Sequence, residues 1–167
     1  VCQAFGKWNH AIALSWVAHD NLCLDNLYRN GSEEIRKKYV PKLCSGEFIG
    51  ALGLTEPGSG SDALGSMKTT AKKVGDYYII NGSKTYITNG AIADIVLIYA
   101  KNETNKENKG ISTFLVETKS QGFNVVSKLK KMGYRGSQTA ELFFENLKVH
   151  KNNMIGTEGS GHITVMN

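Results

Sequence analysis

The groups best suited to chemistry in this sequence are gathered in one stretch, Leu54-Thr55-Glu56-Pro57-Gly58-Ser59-Gly60-Ser61-Asp62, which follows an apolar run over 49–54. Pro57 has no N–H to donate, so it stops a sheet ladder. Gly58 and Gly60 open backbone angles closed to other residues and let a ligand approach the main chain. Thr55, Ser59 and Ser61 add hydroxyl groups. A loop that presents N–H groups and hydroxyls with few side chains in the way suits a phosphate or pyrophosphate. The plainer reading is an ordinary Gly/Ser turn.

Three nucleotide and nucleophile motifs fail here. Gly58-x-Gly60-x-x-Ala63 meets the relaxed dinucleotide pattern, but that pattern needs a strand, a tight turn, a long helix and a parallel strand. The residues that follow, 67–73, Gly75-Asp76 and 77–80, read instead as short strands and a turn. A nicotinamide site is therefore rejected. No G-x-S-x-G elbow occurs, and no Walker lysine follows the glycines.

The elements that must hold this loop come in two kinds. Ahead of it, 1–5 reads as the tail of a helix, and 6–9 as a break. Apolar residues then recur at helical spacing, with Ile12, Trp16, Cys23 and Leu27 beside Ala13, Val17, Leu24 and Tyr28, and predict a largely buried helix over 10–28. His19 and Asp20 interrupt its apolar face and read as a hydrogen-bonded pair or a surface site. Ser32 caps a second helix, Pro41 breaks or kinks it, and Gly46 closes it. From Glu47 the period changes to two. Strands are expected over 49–54, 68–74, 77–81, 84–87, 95–100, 112–117, 123–130 and 141–144, with hairpin turns at Gly75-Asp76 and Asn81-Gly82. The fold class is α+β, helices followed by an antiparallel barrel or sandwich. Residues 162–167 start a further helix. The domain division is 1–46 helical, 47–152 β, and 153–167 a connection onward.

Composition narrows the function. The chain has 167 residues, 41% apolar and 21% charged, with a formal charge of +5. Its lysines are dispersed and are not interleaved with aromatics, so no nucleic-acid partner is expected. Cys2, Cys23 and Cys44 lie far apart, which implies neither a metal site nor a disulfide framework. No apolar run reaches the ~20 residues of a membrane span. Val1-Cys2-Gln3 and the stop at Asn167 read as the edges of a piece of a longer protein.

Three motifs in order, the 54–62 stretch, Tyr86-Ile87-Thr88-Asn89-Gly90 and Met132-Gly133-Tyr134-Arg135-Gly136-Ser137, resemble the acyl-CoA dehydrogenase family. The resemblance runs over essentially the whole chain and is greatest to members acting on isovaleryl-CoA. It implies a helical N-terminal domain, a β-barrel middle domain and a helical C-terminal domain. It implies FAD as cofactor and a short, branched acyl-CoA as substrate, oxidised between Cα and Cβ. Electrons then pass to electron transfer flavoprotein. A homotetramer of the mitochondrial matrix serving leucine catabolism follows, with the bacterial cytoplasm as the other location. Acyl-CoA oxidase chemistry with O₂, or a non-catalytic FAD- or CoA-binding module, are the alternative readings.

The site residues carried over by this resemblance are Leu52, Gly53, Leu54, Thr55, Glu56, Pro57, Gly58, Ser59, Gly60 and Ser61 along the FAD, with Tyr86, Ile87 and Thr88 on the flavin face away from substrate. Leu52 stands where some relatives carry an aromatic, and Tyr86 where the family more often has tryptophan. Ser61, Asn108 and Lys109 are implied contacts of the CoA moiety. Glu56 and Asp62 have structural places in the loop, while Glu117, Glu141 and Glu145 are expected in solvent. Arg135 is expected to tie its loop to the sheet, and His150 is given no function. No catalytic residue is expected here, because the family's base belongs to the C-terminal helical domain, beyond Asn167. The chain alone is therefore expected to be inactive.

Overall fold

A computed structural model describes residues 1–103 and 110–166. Helix α1 spans Cys2–Trp8, and Asn9 ends it. The break expected over 6–9 is thus confined to Asn9, whose side chain accepts from the N–H groups of Ala11 and Ile12 and caps helix α2, His10–Val17. The helix does not stop at Val17. It continues through a π-helical segment, Ala18–Leu24, into α3, Asp25–Asn30. The Asp25 N–H bonds to the Asp20 carbonyl, five residues back, which is the wider π spacing.

Helix α4, Glu33–Ser45, begins at Ser32, whose hydroxyl accepts from the Ile35 N–H at 3.3 Å. It runs through Pro41 rather than breaking there, and ends at Gly46 with φ 76°. Leu27, Ile35, Tyr39 and Leu43 are buried with Cys23 against Ile95, Leu97 and Leu115, so one core joins the helices to one face of the sheet. A second core, with Tyr78, Ile80, Phe114, Phe123, Phe144 and Leu147, lies within the β region.

The strands are β1 Gly50–Gly53, β2 Thr70–Val74, β3 Tyr77–Thr88, β4 Ile95–Asn102, β5 Ile111–Glu117, β6 Phe123–Lys128, β7 Thr139–His150 and β8 Met154–Ile155. They form one sheet in the order β6-β7-β3-β2-β4-β5-β8, with β1 beside β4. The expected antiparallel barrel or sandwich is corrected in two respects. The sheet is open, with β6 and β8 at its ends. It is also mixed, because β4 pairs in parallel with both β1 and β2.

Gly75-Asp76 turns β2 into β3 as expected. Asn81-Gly82 does not turn, and the strands expected over 77–81 and 84–87 are one long strand. The register on β7 slips between Ile80 and Gly82. The missing side chain of Gly82 makes room for Thr69, whose Oγ1 would lie 2.5 Å from a β-carbon there. A glycine in a strand interior often marks such a bulge or close approach. The final helix, α5, spans Gly161–Met166.

Candidate functional site

Strand β1 is wedged between the π-helical segment and β4. Gly50 has no side chain because there is no space for one: a β-carbon would fall 2.5 Å from the Cys23 sulfur. The Gly50 N–H donates to His19 Nδ1 at 3.0 Å, and His19 Nε2 lies 3.1 Å from the Leu43 carbonyl. The ring proton therefore sits on Nε2, and the imidazole joins the end of α4 to the start of β1. His19 is a structural link and does not pair with Asp20.

Beyond β1 lies a cleft of about 300 Å³. Leu52, Leu54 and Thr55 line it from β1 and the residues after it, and Tyr86, Ile87 and Thr88 line it from the end of β3. Ala18 and Leu22 of the π-helical segment and Val165 of α5 complete it. The two sequence stretches thus meet in one place. The helical contributors were missed, because nothing in the 18–24 sequence marks a change of helical pitch.

Tyr86 is the most unusual of these residues. Its φ is 58°, a left-handed value that costs a bulky residue about 1–3 kcal/mol, and the residue is 69% exposed. The cause is a bulge between Lys84 and Ile87, where β3 slips against β7. The ring is thereby turned out of the sheet at the cleft. The hydroxyls of Thr55 and Thr88 make no hydrogen bond to any described group. Apolar walls, an exposed aromatic ring and two unpaired hydroxyls suit a flat ligand with a polar edge.

The loop that follows Thr55 is anchored by a buried ion pair. Lys84 is fully buried and Glu56 nearly so, with Lys84 Nζ 2.9 Å from Glu56 Oε1. The same ammonium donates to the Leu54 carbonyl at 3.0 Å. Glu56 also accepts from the Lys68 N–H at 2.7 Å and the Thr69 N–H at 2.9 Å. Burial pushes Lys84 down to about 8, against the pull of Glu56. Burial alone would raise Glu56, but the donors of Thr69, Lys84 and Lys68 outweigh it and hold the carboxyl below its ordinary range. Its side chain is consumed within the protein and does not line the cleft. Lys84 was absent from the sequence-based site.

One carboxylate therefore fastens both feet of the arch over 57–67. Within it, Glu56 and Ser59 exchange two backbone hydrogen bonds, of 3.2 and 3.0 Å, around Pro57-Gly58. Ser59 is buried and its hydroxyl donates to the Asp62 carbonyl. The N–H groups of Gly58, Gly60 and Ser61 and the Ser61 hydroxyl have no partner among the described residues. Lys68 Nζ lies 3.9 Å from the position of a Gly58 β-carbon, close enough to add positive charge to this surface. Gly53, Glu56, Pro57, Gly58, Ser59, Gly60 and Ser61 lie outside the cleft lining itself.

Asn108 and Lys109 lie outside the described residues. Among the described residues Arg135 bonds only within its own loop, to the Lys131 carbonyl at 3.1 Å. Lys131 makes the tie to the sheet expected of Arg135, donating to the Ser137 carbonyl and the Thr139 hydroxyl at 2.7 and 2.8 Å. His150 packs edge-on against Tyr77. Among the described residues no cluster of three or more His, Cys, Asp or Glu could hold a metal, and no carboxylate lines the cleft.

Residues 1–47 match the acyl-CoA dehydrogenase N-terminal domain, and residues 51–147 match the acyl-CoA dehydrogenase middle domain. The chain is 46% identical over 168 residues to the mitochondrial isovaleryl-CoA dehydrogenase of Pongo abelii, covering 99% of this chain and 40% of that protein. An acyl-CoA dehydrogenase complexed with FAD from Bacillus anthracis superposes with a TM-score of 0.91 at 40% identity, over 99% of this chain and 28% of that one. A chain in a structure of the electron transferring flavoprotein of Acidaminococcus fermentans gives a TM-score of 0.93 at 40% identity, over 99% of this chain and 43% of that one. The chain thus spans about two fifths of the length of the isovaleryl-CoA relative. With two adjacent domain matches and a cleft where the motif residues converge, the chain belongs to the acyl-CoA dehydrogenase family.

Proposed function

We propose that the protein carrying this chain is an FAD-dependent acyl-CoA dehydrogenase that oxidises a short, branched acyl-CoA such as isovaleryl-CoA and delivers the electrons to electron transfer flavoprotein. The observation that carries this reading is the cleft. Leu52, Leu54 and Thr55 meet Tyr86, Ile87 and Thr88 across it, although about thirty residues separate the two stretches. The isovaleryl-CoA relative and the FAD-complexed neighbour support the substrate and the cofactor.

The residues present fit a flavin. Leu52, Leu54 and Ile87 offer apolar contact to a fused ring, and Tyr86 offers its exposed face. The unpaired hydroxyls of Thr55 and Thr88 can bond to the ring's polar edge. Gly58, Gly60 and Ser61 present N–H groups for a phosphate, with Lys68 supplying charge nearby. FAD, when bound, supplies the acceptor for the β hydride. This chain's part is to bind and orient the ring and to keep water from one side of it. The base for the α proton is assigned to the C-terminal helical domain of the family. On the same reading, 1–46 ends the N-terminal helical domain, 47–152 is the middle domain and 153–167 leads into the C-terminal domain. A homotetramer located in the mitochondrion, acting in leucine catabolism, completes the proposal.

The test is to titrate the full-length apoprotein with FAD and then add isovaleryl-CoA anaerobically. Saturable binding, then bleaching of the flavin absorbance, is expected. Thr55→Ala and Thr88→Ala should each weaken FAD binding by about 1 kcal/mol, the value of one neutral hydrogen bond. Unchanged affinity in both variants would place the cofactor elsewhere.

A further inference from the structure

The buried lysine bears on the cleft through a peptide bond. Lys84 Nζ donates to the carbonyl of Leu54, and the Thr85 N–H donates to the carbonyl of Thr55 at 2.9 Å. Both carbonyls are thus turned toward β3. No described peptide bond is cis, and in a trans peptide the N–H points opposite to the carbonyl of the same unit. The Thr55 N–H therefore points away from Lys84. It has no acceptor among the described residues, and Thr55 itself lines the cleft. An ammonium on the carbonyl side of a peptide draws electron density through the unit and makes its N–H a stronger donor.

We infer that Lys84 is a positioning residue: it fixes and polarises the Leu54–Thr55 peptide so that the Thr55 N–H is offered to an electron-rich edge of the ligand in the cleft. The inference rests on the flavin reading above. Reduction adds electrons to an isoalloxazine and makes its carbonyl edge a stronger acceptor. A fixed, polarised donor at that edge therefore favours the reduced over the oxidised ring. Glu56 holds Lys84 in place and favours its charged form, while Lys84 alone touches this peptide's carbonyl.

The experiment compares the flavin midpoint potential in the full-length holoenzyme and in three variants. Lys84→Met removes the donor. The double variant Lys84→Met/Glu56→Leu removes both charges, leaves neither unpaired, and carries the same test if the single variant does not accumulate. Glu117→Gln weakens a carboxylate contact with Tyr39 and Lys38 outside the cleft and leaves the bond to Leu54 in place. Loss of Lys84 is expected to lower the preference for reduced over oxidised flavin about tenfold, a shift of about 30 mV for two electrons. Glu117→Gln should leave the potential unmoved even where it lowers thermal stability, so a shift confined to the lysine variants is not a general loss of stability. An unmoved potential in the lysine variants, or an equal shift in Glu117→Gln, overturns the inference. If the unsubstituted protein binds no FAD, the flavin reading fails and this inference falls with it.

Discussion

The side-chain amide of Asn89 donates to the main-chain carbonyl of Ser15, 2.8 Å away, and so joins the end of β3 to helix α2. The same amide reaches the Gly50 carbonyl at 3.3 Å, and the Asn89 N–H donates to the Gln138 carbonyl at 2.6 Å. Ser15 in turn bonds Ser137 through their hydroxyls. Asn89 is buried and left-handed, with φ 65°. It holds together the helix, the first strand and two of the three family motifs.

Asn89→Ala should therefore lower stability by about 2–4 kcal/mol, from the stranded carbonyls and the left-handed backbone together. Asn89→Gly removes the same side chain but accepts the positive φ, and should be about 1 kcal/mol less harmful. Urea unfolding of the two variants decides it. A glycine variant no better than alanine would show that the backbone angle carries no cost.

The buried pair should behave unlike a surface ion pair. Glu56→Ala leaves Lys84 without its counter-ion in the interior, and Lys84→Met does the converse. Each is expected to cost about 3–5 kcal/mol. Lys84→Met/Glu56→Leu should cost less than the sum of the two, because no charge is left alone. A double-mutant cycle measured by chemical denaturation gives the coupling, and additive losses would contradict a direct pair.

Acid should loosen the protein through two carboxylates held below their ordinary range. Tyr39 and Lys38 hold Glu117 there, and the donors of Thr69, Lys84 and Lys68 hold Glu56 there against its burial. A depressed carboxyl binds protons less readily folded than unfolded. Its contribution is full above the ordinary value of 4.5 and is lost as pH falls through the lower folded value. Stability measured by urea unfolding should fall on acidification below about pH 4.5. Glu117→Gln should flatten that fall, and an unchanged slope would remove Glu117 from the account.

Tyr86 sets backbone comfort against ligand contact. Tyr86→Gly should raise the thermal stability of the apoprotein by about 1 kcal/mol, since glycine accepts φ 58° and the exposed ring packs little. The same change should weaken FAD binding through loss of the ring face. Calorimetry of the apoprotein and FAD titration measure the two effects, and a destabilised apoprotein would show that the ring packs more than its exposure implies.

How far the sequence could be read depended on where the deciding partner lay. Gly75-Asp76 and Asn81-Gly82 look alike locally, yet only the first is a turn. The second is held straight by Thr69 filling the space beside Gly82, a tertiary effect with no local trace. The helices with their caps at Ser32 and Gly46 were legible because those signals are short-range. That Thr55 and Thr88 would lie close together was legible through motifs, and both line the cleft. Lys84 stands at the same inward parity of β3 as Tyr78 and Ile80, which is a signal that it needs a partner. That partner, Glu56, is 28 residues away, and only the fold brings it close. The parallel pairing of β4 with β1 and β2 was illegible for the same reason, since alternation fixes which face a residue takes but not the direction of its neighbour.

The π-helical segment makes one stretch of chain serve two masters. An α-helix advances about 100° per residue, so its extra residue per turn is equivalent to an insertion that rotates everything downstream. Ala18 and Leu22 face the cleft while His19 clasps α4 to β1 and Cys23 presses on Gly50. Deleting a single residue between 18 and 24 would rewind the segment to ordinary pitch. It would swing His19 and Cys23 out of alignment with the sheet if the cleft wall stayed put, or move the wall if they did not. A one-residue deletion here should therefore be far less tolerated than any single substitution at the same positions.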